Sequence, residues 1–598
     1  MAHNKNHKKN NNGDNRPTPP ATAPYNFVPL PMEPVPSPLS LFLTEKDSAT
    51  GKVKLNFSKY ADYIAENGKY DGVIDFEITA LTPLFIGDGT GKFFAPDGKP
   101  MIPGSTIRGM VKNYLKILSC GTMRSANNED ITSRHLYFRD MASTCRSLKS
   151  HYEDKLVIKG SKKRSSKTKA SAGFFARLKS GEYVIYPAEL GYGHYGRSDM
   201  ESKSRSKENI GRIYYSSGNE VELHSGPIPN KKTYYIFSIS SWDHPIKVSD
   251  SVITDYKNDI ARKGHNLLSQ DQSIHDKYEP ASGKEFSLLK PCFYIEENKK
   301  VKHFGASKFY RIPYDMAIED SIPSSLKNEN IIDFAEAIFG RNEDFASRIF
   351  FEDASIIDNP ALEPESEAHS IPLMEPKPTS FQFYLEQKKQ TDQSNLKHWD
   401  SGDTKIRGYK LYWHKKIGKD GWVLKGKKVE KTLPIHPVPK DSKFKGRIRF
   451  KNLSEIELGA LITVLSLGDS RFSDGRFKIG MGKPIGLGSI DFRCKELKKI
   501  NRAERYSVLF NSDGNWESSL SDIKDAEAFK SKFESYMKGK TGDNYGRVLS
   551  ALKIMMLFDN KINPEDIEYM ALGDDRFKKR IPLPYPKEII QHSEDVKK

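Results

Sequence analysis

The strongest constraint on this chain is a strand–loop–helix pattern that occurs twice, once on each side of a long polar middle. Asp71 to Gly87 carries Val73, Phe76, Ile78, Leu81 and Leu84 in a loose two-residue alternation closed by a glycine, which predicts a strand. A polar, glycine-rich loop follows from Asp88 to Pro100, and then Ile102-Pro-Gly-Ser-Thr-Ile-Arg-Gly-Met-Val-Lys-Asn113 opens a helix running to about Cys120. The later occurrence predicts a strand at Gly446–Phe450 and an apolar helix at Ser454–Leu467, with Ser454 and Glu457 placed as a capping box. After it come the glycine run Gly480-Met-Gly-Lys-Pro-Ile-Gly-Leu-Gly488 and a strand at Gly488–Phe492. This is a weak duplication, since no repeat of fixed period is present.

Each occurrence offers a place for a phosphate. A helix start has unpaired N–H groups and a positive dipole end, and Arg108 and Lys112 stand one turn apart behind Ser105 and Thr106. In the glycine run, Gly480, Gly482, Gly486 and Gly488 around Lys483 are expected to let the backbone approach a sugar-phosphate chain with no Cβ in the way. The net charge of +17 favours a polyanionic partner. A generally basic soluble protein would show the same surplus. The 28 Tyr and 32 Phe supply stacking faces for single-stranded bases, though such rings more often fill cores.

The rest of the chain reads as several domain-sized units. Residues 1–24 are expected to be a disordered basic tail and 25–70 a lead-in. A first core segment covers 71–144, a β-rich insertion 145–330, a second core segment 331–498 and a helical C-terminal extension 499–598. In the insertion, Tyr183–Tyr186 and Tyr234–Ile239 read as strands; the lysine-rich runs Lys159–Lys169 and Ser202–Lys207 read as solvated loops or RNA contacts. Further on, Asp333–Phe339 reads as a helix and Ser347–Ala354 and Thr379–Leu385 as strands. Ala526–Met537 and Tyr545–Leu557 read as helices. The four cysteines, Cys120, Cys145, Cys292 and Cys494, form no CxxC pair, so neither a disulfide framework nor a structural zinc is expected, even with His135 and His151 flanking Cys145. With no apolar signal core and no long apolar run, the expected setting is the cytoplasm, with no membrane partner.

The order of these segments resembles the RAMP superfamily of CRISPR-associated proteins, in particular backbone subunits of type III effector complexes. The likeness rests on Leu84-Phe-Ile-Gly87, the Ile102–Gly109 helix start, Ile338-Phe-Gly340, Arg348-Ile-Phe-Phe-Glu-Asp-Ala354 and the Gly480–Gly488 loop. It covers about residues 70–144 and 330–498. Phe304-Gly305, Arg311-Ile-Pro-Tyr314 and Arg407-Gly-Tyr-Lys-Leu-Tyr-Trp-His414 look like those of a longer, type III-D-like branch. The resemblance implies an α+β, ferredoxin-like (RRM-like) βαββαβ core with a projecting thumb. It also implies that Ser105, Thr106, Arg108, Lys112 and the glycine loop face a guide RNA (crRNA). Implied partners are target single-stranded RNA, other RAMP subunits and a large polymerase-like subunit.

In cleaving relatives an aspartate in the loop after the first strand supports metal-dependent cutting of target RNA, with Mg2+ or another divalent cation. The matching position here is Asp88, with Asp97 the other carboxylate of that loop. Where many relatives carry a histidine, this chain has Phe85, and a phenyl ring can neither hydrogen-bond nor transfer a proton. Three functions follow for test: an RNA-binding subunit that also cuts, a passive RNA-coating scaffold, and a stand-alone endoribonuclease that processes precursor guide RNA. The roughly one hundred residues after the glycine loop and the lack of a histidine near the first helix favour a subunit over the stand-alone enzyme.

Overall fold

The computed structural model describes residues 19–595 apart from loops, the longest of which are 125–134, 195–209, 358–368 and 416–431. The chain forms two compact units: Met1–Thr122 with Asn328–Met374 and Arg407–Lys598, and Met123–Lys327 with Glu375–Ile406. Helix and sheet are mixed throughout.

The first unit is built on one antiparallel sheet. Its elements in chain order are β1 (Tyr70–Ala80), β2 (Met101–Ile102), α1 (Gly104–Leu118), α2 (Phe334–Phe339), β3 (Ile349–Phe351), β4 (Ala354–Ile356), β5 (Lys443–Leu453), α3 (Glu455–Leu465), β6 (Phe477–Lys478) and β7 (Ser489–Ile500). The sheet order is β6-β7-β1-β5-β4-β2, and β3 also pairs with β5. The two long central strands are therefore the ones that open the two sequence occurrences.

Alternation sorts the faces. Ile74, Phe76 and Ile78 of β1, Phe444, Ile448 and Phe450 of β5, and Ile490 and Phe492 of β7 are buried. Against them lie the buried sides of α1 (Ile107, Val111, Leu115) and α3 (Leu458, Leu461, Leu465). Phe76 and Phe492 stack at 4.8 Å on paired strands.

Arg348 and Glu457 tie the unit together from the inside. Glu457 is the reciprocal cap of α3, accepting from the Ser454 N–H at 2.9 Å. Its carboxylate also takes both terminal nitrogens of Arg348, and Arg348 donates further to the carbonyls of Ala337 and Asn452. Both side chains are buried. Burial alone would raise the Glu457 pKa, but the Arg348 charge outweighs it and holds the carboxyl below its ordinary value.

Several boundaries differ from the sequence expectation. The tail does not extend to 24: residues 1–18 lie outside the described residues, but Ala21, Thr22 and Ala23 are buried and the Trp413 N–H donates to the Pro24 carbonyl at 3.1 Å. Small side chains lose little entropy on burial, so composition understated their place. The helices of the C-terminal segment, Ala526–Thr541 and Asn544–Met556, belong to the first unit, and the first crosses α3 closely enough that a Cβ on Gly459 would meet the Phe529 carbonyl oxygen at 2.0 Å.

The second unit, where the insertion was expected, holds a five-stranded and a four-stranded antiparallel sheet. Tyr183–Pro187 and Thr233–Ser238 are strands of these sheets, and Phe174, Tyr186, Phe237 and Phe293 are buried in the same core. This unit also takes Glu375–Ile406. There the expected strand Thr379–Leu385 is a helical turn, Phe381–Tyr384, because Phe381 and Leu385 must enter one core beside Leu396 and Trp399. Their alternation with Phe383 mimicked a strand. Of the run Lys159–Lys169, residues 159–166 lie outside the described residues, as does Ser202–Lys207.

Candidate nucleic-acid interface

The helix start is not an open anion seat. The Gly104 N–H, the first of α1, donates to the Asp353 carboxylate at 2.7 Å, so a side chain already supplies the negative charge the dipole favours. Gly104 is needed for that contact, since a Cβ there would stand 2.2 Å from the Phe351 carbonyl oxygen. The Arg348–Ala354 segment thus covers the helix it follows in sequence.

Ser105 is exposed and Thr106, Arg108 and Lys112 are half-buried. Arg108 donates to the Phe339 carbonyl at 2.8 Å and lies 5.2 Å from the Phe339 ring. Lys112 has its pKa lowered by burial first, then by the neighbouring Arg108 and Lys116 charges. Six residues beyond Arg108, on the other side of the helix, Tyr114 meets Phe477 of β6 edge-on at 4.9 Å. Arg108 and Lys112 therefore face α2, while the opposite side of α1 faces the strand that leads into the glycine loop.

The glycine loop seats against the chain's own Leu84–Gly87 segment. The Met481 N–H donates to the Phe85 carbonyl at 2.8 Å and the Gly488 N–H to the Pro83 carbonyl at 3.0 Å. A Cβ on Gly488, whose φ is +70°, would lie 1.9 Å from the Ile479 carbonyl oxygen, and one on Gly480 would lie 2.3 Å from that of Phe85. At these positions, and at Gly482 beside Leu487, the space freed by the missing side chain is filled by protein. The expectation of an open approach for an RNA backbone is corrected there. Gly486 is buried with φ +105° and ends the single turn Lys483–Ile485. Lys483 is half-buried with its pKa lowered by burial. Lys478, which the sequence reading passed over, is buried beneath the loop and donates to the Leu487 carbonyl at 3.0 Å; burial brings its pKa down to about 7.

Asp88 sits at the exposed tip of a hairpin closed by Asp88 N–H to the Lys92 carbonyl at 3.1 Å and Phe94 N–H to the Ile86 carbonyl at 2.8 Å. Its carboxylate accepts from the Thr90 N–H and the Thr90 hydroxyl, each at 2.7 Å, an Asx-type turn that lowers its pKa. Asp97, with φ +52°, is at a separate exposed turn.

A family model described as the RAMP superfamily matches residues 77–310 and 296–491, which is more than half of the chain. The chain belongs to the RAMP superfamily. No curated protein matches its sequence. Solved structures similar to this RAMP protein include Csc2 of Thermofilum pendens, at 11% identity over 90% of this chain and 92% of that one, with a TM-score of 0.19. A type III-B Cmr-beta complex bound to cognate target RNA matches at 11% identity, 71% and 98% coverage and a TM-score of 0.17. Oligomeric Cmr4 from Pyrococcus furiosus matches at 11%, 72% and 99%, with a TM-score of 0.16. Scores this low align no common core.

Within this RAMP protein the remaining motifs have structural work. Tyr409–Tyr412 of the Arg407–His414 motif pairs antiparallel with Tyr25–Val28, and Arg407 caps the carbonyls of Leu583 and Pro584. His414 is buried with its Nε2 3.0 Å from the Arg476 carbonyl and its Nδ1 3.0 Å from the Ser489 hydroxyl. The carbonyl can only accept, so Nε2 carries the proton and Nδ1 accepts from Ser489. The ring is neutral, its pKa pushed far down by burial, and it braces the residue where the glycine loop enters β7. In the second unit Arg311 is bonded to Asp259 and the Tyr137 carbonyl, and Tyr314 stacks on Phe138 at 4.2 Å.

Among the described residues, none are grouped as a resident metal site would need: no three His, Cys, Asp or Glu side chains come together to hold a cation, and the Asp88 carboxylate is engaged by Thr90. His135 and His151 turn to different carboxylates, Asp255 and Asp400, while Cys145 lies 3.2 Å from the Ser147 hydroxyl. No described helix is long and apolar enough to cross a membrane.

Proposed function

We propose that this RAMP protein is a guide-RNA-binding backbone subunit of a type III CRISPR effector ribonucleoprotein, working beside other RAMP subunits and a large polymerase-like subunit. The observation that carries the reading is the family match across residues 77–491 in a chain of net charge +17. The core supports it: strands β1, β3/β4, β5 and β7 with α1 and α3 follow the order β-α-β-β-α-β, and the neighbours in the sheet run β7-β1-β5-β3/β4. We read this as a ferredoxin-like core, from which a thumb would project. Guide RNA is the expected ligand, and target single-stranded RNA its complement.

Cleavage of the target is a separate reading, and Asp88 alone carries it. The observation in its favour is an exposed carboxylate held ionised at a hairpin tip. A divalent ion enters this reading only as one shared with RNA phosphates, since magnesium often sits on one carboxylate plus substrate oxygens. The test is the assembled complex with labelled target RNA and Mg2+, comparing wild type, Asp88→Ala and the same-loop control Asp97→Ala. Loss of one cut by about 10²–10⁴-fold in Asp88→Ala alone supports catalysis. Cutting at the wild-type rate in that variant, or none in wild type, makes the subunit a scaffold. Binding of guide RNA by the complex without this subunit, at unchanged affinity and length of protection, would overturn the main proposal.

A further inference from the structure

The helices cover one face of the sheet in the first unit, and the other face is lined with charge. On β5 the outward row is Lys443, Lys445, Arg447, Arg449 and Lys451, five cations at alternate positions and all exposed. Arg447 is tied to Asp75 of β1 by two bonds of 2.6 and 2.8 Å, and Arg449 to Glu352 at 3.0 Å. On β7, Arg493 pairs with Asp491, Lys495 with Glu77 and Lys498 with Glu496. Those partners account for Asp75, Glu77, Glu352, Asp491 and Glu496. Lys443, Lys445 and Lys451 have no ion-pair partner among the described residues. Beside them Phe350, opposite Arg449 in register, is 44% exposed, with the Lys451 Nζ 5.6 Å from its ring centre.

We propose that this open sheet face, with Lys443, Lys445, Lys451 and Phe350 as its principal contacts, is a binding track for single-stranded RNA. Outward residues on a strand recur about every 6.8 Å, so the row from Lys443 to Lys451 extends about 27 Å. That is a linear array suited to an extended phosphate backbone, with an aromatic face for a base at one end. An acidic protein segment is the competing occupant. The regular run of positive charge, the exposed ring and the basic surplus of the whole chain favour RNA. The inference rests on the RNA-binding reading above and places its contacts away from the helix start and glycine loop, whose groups are largely engaged within the protein.

The test uses the full chain and a fluorescein-labelled single-stranded RNA of mixed sequence, with anisotropy titrations across a KCl series. Lys443→Gln/Lys445→Gln/Lys451→Gln should weaken binding at least tenfold at low salt. It should also flatten the plot of log affinity against log salt by about 2, since each phosphate neutralised on a single strand contributes about 0.7 to that slope. The matching Lys→Arg triple variant should retain the wild-type slope, and Phe350→Ala should weaken binding without changing it. A Gln triple variant with the wild-type slope overturns the track. So does one that binds RNA normally but no longer joins its partner subunits, which would assign the face to protein. If wild type binds no RNA at all, the functional proposal fails with it. Photocrosslinking of wild-type protein needs no variant: adducts at Phe350 or between 443 and 451 are expected, and adducts confined to 104–112 and 480–488 overturn the proposal.

Discussion

At the scale of single residues, the glycines of the 480–488 loop are where chemistry and packing were hardest to separate. Gly488 combines a left-handed φ of +70° with a backbone oxygen 1.9 Å from any added Cβ. Gly488→Ala should therefore destabilise the fold by about 2–4 kcal/mol, the sum of the left-handed penalty and local overpacking. Urea unfolding measures this, and a loss under 0.5 kcal/mol would mean that the loop relaxes freely. Lys478 beneath the same loop makes a pH prediction. Its folded pKa of about 7 lies below the ordinary lysine value, so between these values the unfolded chain binds more protons and stability rises with pH. Lys478→Met should reduce the rise in urea midpoint between pH 7 and pH 9.5, while Lys290 and Lys410, each brought down to about 8, keep their share. An identical rise in both proteins would show that Lys478 is solvated.

At the scale of elements, the Arg348–Glu457 pair joins the loop before β3, the end of α2 and the start of α3. Removing one partner leaves a buried charge, so Glu457→Gln should cost about 3–5 kcal/mol. The sign with pH is set by the lowered carboxyl pKa. The pair's contribution is complete above the unfolded value of about 4.3 and is lost as pH falls through the lower folded one. The gap between wild type and Glu457→Gln should accordingly narrow in acid. Denaturant titrations at pH 7 and pH 3 read both effects, and a gap that widens in acid would contradict the assignment. The capping-box half of this arrangement was legible, because Ser454 and Glu457 stand three residues apart before an apolar run. Arg348 was legible only as part of a motif, since its partner lies 109 positions away.

At the scale of the whole molecule, charge and topology point the same way. A chain of net charge +17 should bind single-stranded RNA of unrelated sequences with comparable affinity, weakening steeply as KCl rises. Anisotropy with two RNAs of different composition checks this, and affinity that is independent of salt would remove the electrostatic basis of the proposed function. The two strand–helix occurrences, far apart in sequence, put their strands β1 and β5 side by side at the centre of one sheet. The second unit interrupts the first without entering that sheet, which is why the core could be read on both sides of it.

The sequence by itself determined the basic surplus and most periodic elements: the alternating strands of the core sheet, the capped apolar helix and the C-terminal helices, which follow from neighbours within a few residues. Tertiary structure alone decided what the polar and glycine residues of the candidate site touch. The first N–H of α1 looks free in the sequence and is capped by Asp353; the space at Gly480 and Gly488 looks open and is filled by Phe85 and Ile479. The cations of β5 look alike in sequence, and only strand pairing and the ion pairs it permits decide that Arg447 and Arg449 meet acidic neighbours while, among the described residues, the lysines do not. Hydrogen bonds, close approaches and ion pairs between distant segments are set by the fold, and no local pattern encodes them.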